Sequence, residues 1–520
     1  MLQKLHITKQ TSAFLLIFII ASIVYLYNLT FSDLWIDETF TKELIKFPFP
    51  KMLELLAGDF HPPLYFSLLK LFTSVTGISD FTIRLFSVIG ALCLLILSYT
   101  VGQRVFGKNG ALYFCLTILS IPMLASNSHD ARMYTWAPFA ITGVFLYSYL
   151  YIKTNKRSDL VLLGLFTLMA AYLHYYCLIA AFWSNIFVFL YLVLKKGKTW
   201  YAHLITMFAV VLLYLPWLAV FLAQTSSAND NFYIAPLNIE SILACYIGPF
   251  MEKFWFEIPS YIMIAIVFSL TLVSIFNHFI RYKDDDRLIL GLSLTIFNAT
   301  ILTGIILSFI LRPVLMLRYV GTFVTMLMVP PALFFIRSKI KPLKIILLIL
   351  LLSCGIYTSV CGSFFSFGPY KQSLNHLSKA YPDVKKIVHV TEITTGPLLD
   401  HNKIGDWNHY WINNENSVFY TNLNVFTELH QVSSLDEFLS PDEIFCLADM
   451  EIAPLNRENL NLILSKSHEI KVDIVTDNKS EPSITLSLYI LQYQGENTTN
   501  EQYKKEKPGT VTDEGNISDI

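Results

Sequence analysis

Residues 14–39, FLLIFIIASIVYLYNLTFSDLWIDET, run from an apolar stretch straight into an acid pair, Asp37-Glu38. About 20 apolar residues suffice to cross the hydrocarbon core of a bilayer. Carboxylates next to such a run are costly unless they have a task. Outward from this stretch the chain repeats the pattern. Of its 520 residues, 54% are hydrophobic and 15% charged, against about a quarter charged in soluble proteins. Long apolar runs fill the first two-thirds and the last third is polar, so a membrane part precedes a water-exposed part. A net charge of −1 gives no sign of a nucleic-acid partner. The seven cysteines form no CxxC pair, which argues against a disulfide framework or a zinc ribbon. Lys4 and Lys9 precede the first run, but no small-residue cleavage site follows, so that run reads as an uncleaved membrane helix.

Eleven stretches read as membrane helices, near 12–30, 82–103, 109–126, 134–152, 159–173, 176–194, 201–222, 260–280, 288–310, 319–336 and 343–363. Basic residues then fall on alternate connections: Lys4/Lys9, Arg104/Lys108, Lys153/Lys156/Arg157, Lys195/Lys196/Lys198, Arg281/Lys283/Arg287 and Arg337/Lys339/Lys341/Lys344. By the positive-inside rule that side is cytoplasmic, which puts the N-terminus inside and the C-terminal third outside. The fold expected is an α-helical polytopic membrane protein of about eleven transmembrane helices with a small C-terminal extracytoplasmic α/β domain. Residues 1–365 form the membrane part, 366–494 the outer domain and 495–520 a disordered tail.

The first outer loop, about 31–81, holds two amphipathic stretches, 39–46 and 62–75, separated by Pro48 and Pro50. In the outer domain, strands are expected at 386–390, 417–420, 443–447, 470–475 and 484–492, with helical or turn segments at 433–439 and 457–466.

This topology collects Asp37, Glu38, Asp59, His61, Arg84, His129, Asp130, Arg132, His174, Arg312 and Arg318 at outer helix ends. Acids, imidazoles and guanidiniums at one rim suit a reaction between a lipid-borne phosphate and a polar acceptor. Displacing a lipid phosphate from a sugar needs a base for the acceptor hydroxyl. It also needs cations for the phosphate, to which arginine's planar fork is matched. Position alone leaves each residue a plainer role: Asp37 and Glu38 as acids at a helix start, Arg84 as a snorkelling side chain, His174 as a packing residue.

The order Trp35-Ile36-Asp37-Glu38, His61-Pro62-Pro63-Leu64-Tyr65, Arg84-Leu85-Phe86-Ser87 and Asp130-Ala131-Arg132-Met133-Tyr134 resembles the protein O-mannosyltransferases and aminoarabinose transferases, with His174-Tyr175 and Arg318-Tyr319 as further shared pieces. These are membrane glycosyltransferases of the GT-C type (glycosyltransferase family 39 and bacterial relatives), and the resemblance spans about residues 12–340. It implies a polyprenyl-phosphate sugar donor, an extracytoplasmic site and inversion at the sugar carbon. It also implies Asp37 as catalytic base with Glu38 beside it. Asp130 departs from the glutamate of many relatives, and the last third does not resemble the β-trefoil insert of the eukaryotic protein mannosyltransferases.

The function expected is transfer of a sugar to an extracytoplasmic lipid, glycan or protein acceptor by an enzyme of the plasma or inner membrane. Asp37 and Glu38 are the catalytic pair. His61, Arg84, Arg132 and Arg318 hold the donor phosphate, and Asp130, His174 and Tyr65 contact substrate. No cofactor is required; a divalent metal on Asp37, Glu38 and Asp130 is an option, since all three offer hard oxygens. The alternative is a flippase of lipid-linked sugars. It is disfavoured because transporters set ionisable groups near the midplane of repeated, broken helices.

Overall fold

The computed structural model describes residues 8–195, 199–226, 234, 236–251, 258–389, 392–412, 423–450, 463–464, 466–476 and 485–494. Lys4, Lys196 and Lys198, the strand expected at 417–420, most of the segment at 457–466 and the tail after 494 lie outside them. The chain divides into two units, the first essentially Met1–Phe367 and the second beginning at Gly368.

The first unit is helical. Helix α1 spans Lys9–Leu26; α2, α3 and α4 (Ile36–Leu44, Phe49–Ala57, Leu64–Thr76) fill the loop 31–81; α5 and α6 (Asp80–Thr100, Gly102–Phe106) follow. Then come α7 (Lys108–Leu119), α8 (Pro122–Ser128), α9 (Trp136–Thr154), α10 (Arg157–Leu173), α11 (Tyr175–Leu194) and α12 (Thr199–Ser226). The rest are α13 (Ile239–Ile247), α14 (Ile258–Ile280), α15 (Asp284–Ile310), α16 (Leu317–Val320), α17 (Val329–Arg337) and α18 (Lys341–Gly362).

Each of the eleven expected stretches is helical. Among the described residues, seven helices are long and apolar enough to cross a membrane: α1, α5 with α6, α11, α12, α14, α15 and α18. The pair α7 and α8, bent by 70° at their break, makes an eighth if it is one span. Helix α9 carries three tyrosines, which lower its apolar content, α10 has 17 residues, and the stretch at 319–336 is broken into α16, a 3₁₀ turn and α17. Much of α12 faces outward with bare apolar side chains, among them Ile205, Phe208 and Leu213, as a lipid-facing helix requires.

The loop 31–81 departs from expectation at α3. Pro48 and Pro50 divide the two amphipathic stretches on paper, yet Pro48 is the N-cap of α3 and Pro50 sits in its first turn. There the missing N–H costs nothing and the fixed φ favours a helix start.

The basic connections come together at one end of the bundle. Gln10 reaches Asn109 at 3.4 Å, Arg104 bonds Asp159 at 2.8 Å, Lys153 bonds Asp285 at 2.5 Å and Arg337 bonds Asp286 at 2.7 Å.

The second unit is a six-stranded mixed sheet with α19 (Tyr370–Ala380) and α20 (Glu392–Asp400). Its strands are β1 (Lys386–His389), β2 (Asn408–Ile412), β3 (Leu429–Val432), β4 (Ile444–Met450), β5 (Ser467–Thr476) and β6 (Thr485–Tyr493). The order is β3-β2-β1-β4-β6-β5, with β1 to β4 parallel and β5 and β6 antiparallel. Alternation sets Ile387 and Cys446 toward a core with Leu374 and Leu377 of α19, and Val388 and Phe445 toward a second core on the other face. Strands β2 and β3 were not expected: β2 carries Asn408 and His409, and β3 is four residues long with His430 and Gln431.

Candidate active site

Helix α2 starts at Ile36 after an extended Trp35, so Asp37 and Glu38 sit in its first turn, where the helix dipole favours acids. Successive positions on a helix face different ways, and these two carboxylates have different fates.

Glu38 turns inward and is fully buried. Arg84, just past the first turn of α5, grips it with two bonds, Nε to Oε1 at 2.7 Å and Nη2 to Oε2 at 2.6 Å. Arg84 also donates from Nη1 to the Leu29 and Ser32 carbonyls, both at 3.0 Å, and from Nη2 to the Asp33 carbonyl at 3.3 Å. The backbone N–H of Ala131 donates to Glu38 Oε1 at 2.9 Å. The pair thus ties α2, α5, the end of the first span and the 129–135 loop into one block. A guanidinium has five N–H groups, and these bonds use all five. That corrects the expectation that Arg84 holds the donor phosphate: it has no donor left. Glu38 likewise offers no open oxygen for catalysis.

Asp37 turns outward, its side chain 17% exposed. Its Oδ2 accepts from Arg318 Nη1 at 2.9 Å and lies 3.8 Å from Arg132 Nη2. Among the described residues no group bonds Oδ1. Burial raises this carboxyl, but Arg132 and Arg318 outweigh it and hold Asp37 below its usual value. It is a carboxylate at any physiological pH, with one oxygen ready to accept a proton.

Arg132 lies beneath, buried, with Nη1 3.4 Å from both the Asp37 carbonyl and Thr41 Oγ1. His61 bridges it to Asp59. The network fits an imidazole protonated on Nδ1, which donates to Asp59 Oδ2 at 2.9 Å while Nε2 accepts from Arg132 Nη2 at 3.1 Å. Burial and then Arg132 push His61 below its usual value, against the pull of Asp59 and Asp37, so the ring is neutral near pH 7. This corrects the reading of His61 as a phosphate contact: a neutral ring bonded on both nitrogens has no N–H to offer. His61 instead positions Arg132.

Arg318, from α16, is the most open of the cations at 30% exposure and stacks near Trp35 and Tyr319, 5.7 and 5.9 Å from their ring centres. Asp130 accepts from the Trp35 indole at 3.1 Å. His174 packs between His61 and Tyr319, at ring separations of 6.1 and 5.1 Å.

Tyr65, expected to contact substrate, is fully buried with its hydroxyl 3.2 Å from Ser87 Oγ. It is a packing residue behind the site. Ser87 in turn donates to the Arg132 carbonyl at 3.2 Å. The three carboxylates of the metal option are each engaged by another side chain. Glu38 is held by Arg84, Asp130 by Trp35 and Asp37 by Arg318, and no three His, Cys, Asp or Glu among the described residues group as ligands.

Sequence reasoning gave no role to Thr41, Ser87 or the Tyr134 hydroxyl. Tyr134 lay in a quoted motif, two residues after Arg132, and that spacing was the only signal.

Residues 60–222 match the profile of the family described as dolichyl-phosphate-mannose-protein mannosyltransferase. No curated protein sequence matches the chain. Among solved structures, ArnT from Cupriavidus metallidurans in the apo state is similar with a TM-score of 0.59 at 10% identity, over 92% of this chain and 98% of that one. The same protein bound to undecaprenyl phosphate gives 0.56 at 11% identity, over 91% and 97%. At that identity the likeness establishes the fold, a multi-pass membrane GT-C architecture carrying a small sheet domain.

Proposed function

We propose that the chain is a GT-C glycosyltransferase that moves a sugar from a polyprenyl-phosphate donor to an acceptor on the extracytoplasmic side of the membrane. The matched mannosyltransferase segment and the ArnT-like fold support the class. The observation that carries the reading is the Asp37 carboxylate, partly open, with Oδ1 unbonded among the described residues and two arginines beside it.

The acceptor hydroxyl attacks the anomeric carbon while Asp37 Oδ1 takes its proton. The new C–O bond forms as the bond from that carbon to the phosphate oxygen breaks, and the electron pair leaves with the phosphate. A single displacement inverts the sugar carbon. Arg318 is the first cation open to the donor, and Arg132 lies behind it; both lower the cost of the developing phosphate charge. The positive-inside distribution supports a cytoplasmic N-terminus with this rim outside. The ionisable groups gather at helix ends rather than at a midplane, which favours transfer over transport.

Asp37→Asn tests the base. In detergent, with a radiolabelled polyprenyl-phosphate sugar and a membrane extract as acceptor source, transfer should fall about a thousandfold, inside the usual span for a general base. The melting temperature should stay near that of the wild type. Wild-type transfer by this variant would overturn the assignment.

A further inference from the structure

Beside Asp37 stand polar hydrogens with no acceptor. Among the described residues the buried Tyr134 hydroxyl has no hydrogen-bond partner, and neither does Arg132 Nε. His174 supplies a third. It is the N-cap of α11, where Nδ1 accepts from the Tyr176 N–H at 3.1 Å. That bond fixes the tautomer of a neutral ring: the proton sits on Nε2. No group among the described residues bonds Nε2. The two rings are neighbours, 5.8 Å between centres, and Tyr134 lies within electrostatic reach of Arg318, Arg132 and Asp37.

A buried donor left unmade is costly, and two of them, with the unbonded His174 Nε2–H on the ring next to Tyr134, call for an acceptor that the described residues do not supply. Two guanidiniums stand beside Asp37, and their planar forks match a phosphate that takes its place on Arg318. An ordinary phenol is an O–H donor at neutral pH. We propose that Tyr134 and His174 are neutral hydrogen-bond donors to the phosphate of the donor lipid, beside Arg132 and Arg318. This rests on the transferase reading above.

Neutral donors do what further arginines would not. Each added cation next to Asp37 draws the carboxylate into an ion pair and blunts the base. A phenol and an imidazole N–H hold a phosphate oxygen without that competition.

Two substitutions isolate these bonds. Tyr134→Phe keeps the ring and deletes the hydroxyl. His174→Asn keeps a good N-cap for α11 but removes the Nε2–H. Binding of farnesyl phosphate to the full chain in detergent is the readout, with farnesol, which lacks the phosphate, as control. Each variant should bind farnesyl phosphate roughly tenfold more weakly, as loss of a hydrogen bond to a charged group predicts, and farnesol unchanged. Wild-type affinity for farnesyl phosphate in Tyr134→Phe would overturn the proposal, including the case where only the acceptor KM rises. If His174→Asn fails to fold, Tyr134→Phe decides alone. Asp37→Asn should still bind farnesyl phosphate; if it also transfers sugar, the transferase base is wrong while the phosphate contacts stand or fall on their own result.

Discussion

Asp37 and Glu38 are adjacent in the chain and belong to two opposite kinds of ion pairing. Around Glu38 every valence is filled: two bonds to Arg84, one from Ala131, and three carbonyls for the remaining guanidinium hydrogens. Around Asp37 one oxygen is bonded and, among the described residues, the other is open and Arg132 Nε behind it has no partner. A saturated, buried pair can fix geometry but cannot exchange partners. An unsaturated, partly open one can release Arg318 to an incoming phosphate and receive a proton. Glu38 and Arg84 are therefore assigned to holding the rim together, and Asp37 with Arg318 to chemistry.

The comparison is broken most forcefully from the Glu38 side. Glu38→Ala leaves the Arg84 charge buried and unpaired, and removal of one partner from such a pair costs about 3–5 kcal/mol. Thermal melting in detergent should show a large drop in stability, and Arg84→Ala a comparable one. Asp37→Ala, which takes one partner from the more open Arg318 and a more distant one from Arg132, should lose clearly less. Equal losses at the two positions would erase the distinction.

Arg318→Gln sharpens the other half. Loss of a charge-assisted contact predicts a donor KM raised ten- to a hundredfold. It should also move the acid limb of the pH profile. Burial alone raises Asp37, and Arg318 is one of the groups holding it down. Without it the carboxyl protonates at higher pH, so kcat/KM against pH should begin to fall nearer neutrality than in the wild type. An unmoved limb would mean that Asp37 does not titrate in catalysis. The ion pair's contribution to stability follows the same sign: present above the usual carboxylate range, lost as acid titrates the lowered group.

The sequence made the spans legible because the bilayer demands length and apolarity along a continuous stretch, as in α12. The expected side of the membrane rests on lysines and arginines that need no partner to be counted. What hid was whatever depends on a second stretch of chain. Glu38 and Arg84 are 46 positions apart, and nothing local says that one exhausts the other. His61 read as a cation near a phosphate because its neighbours Asp59 and Arg132, which set its tautomer, meet only in the fold. Helix α3 hid because a proline means either a break or a first turn, and only packing decides which.

The smallest effect concerns His61, which acts through Arg132. Its lowered pKa keeps the ring neutral, with Nε2 accepting from Arg132. As pH falls through that lowered value the ring gains a proton, loses the acceptor and repels Arg132, so wild-type activity should decline a few-fold on the acid side. The unfolded chain takes up this proton at about pH 6.5, so acid also erodes stability from there downward. His61→Gln replaces the ring with an amide oxygen that can accept from Arg132 and does not titrate. It should retain most neutral-pH activity and flatten the decline below pH 6.5 in a kcat/KM profile. If the decline persists unchanged in His61→Gln, another group owns it, and His61 is only packing against Arg132.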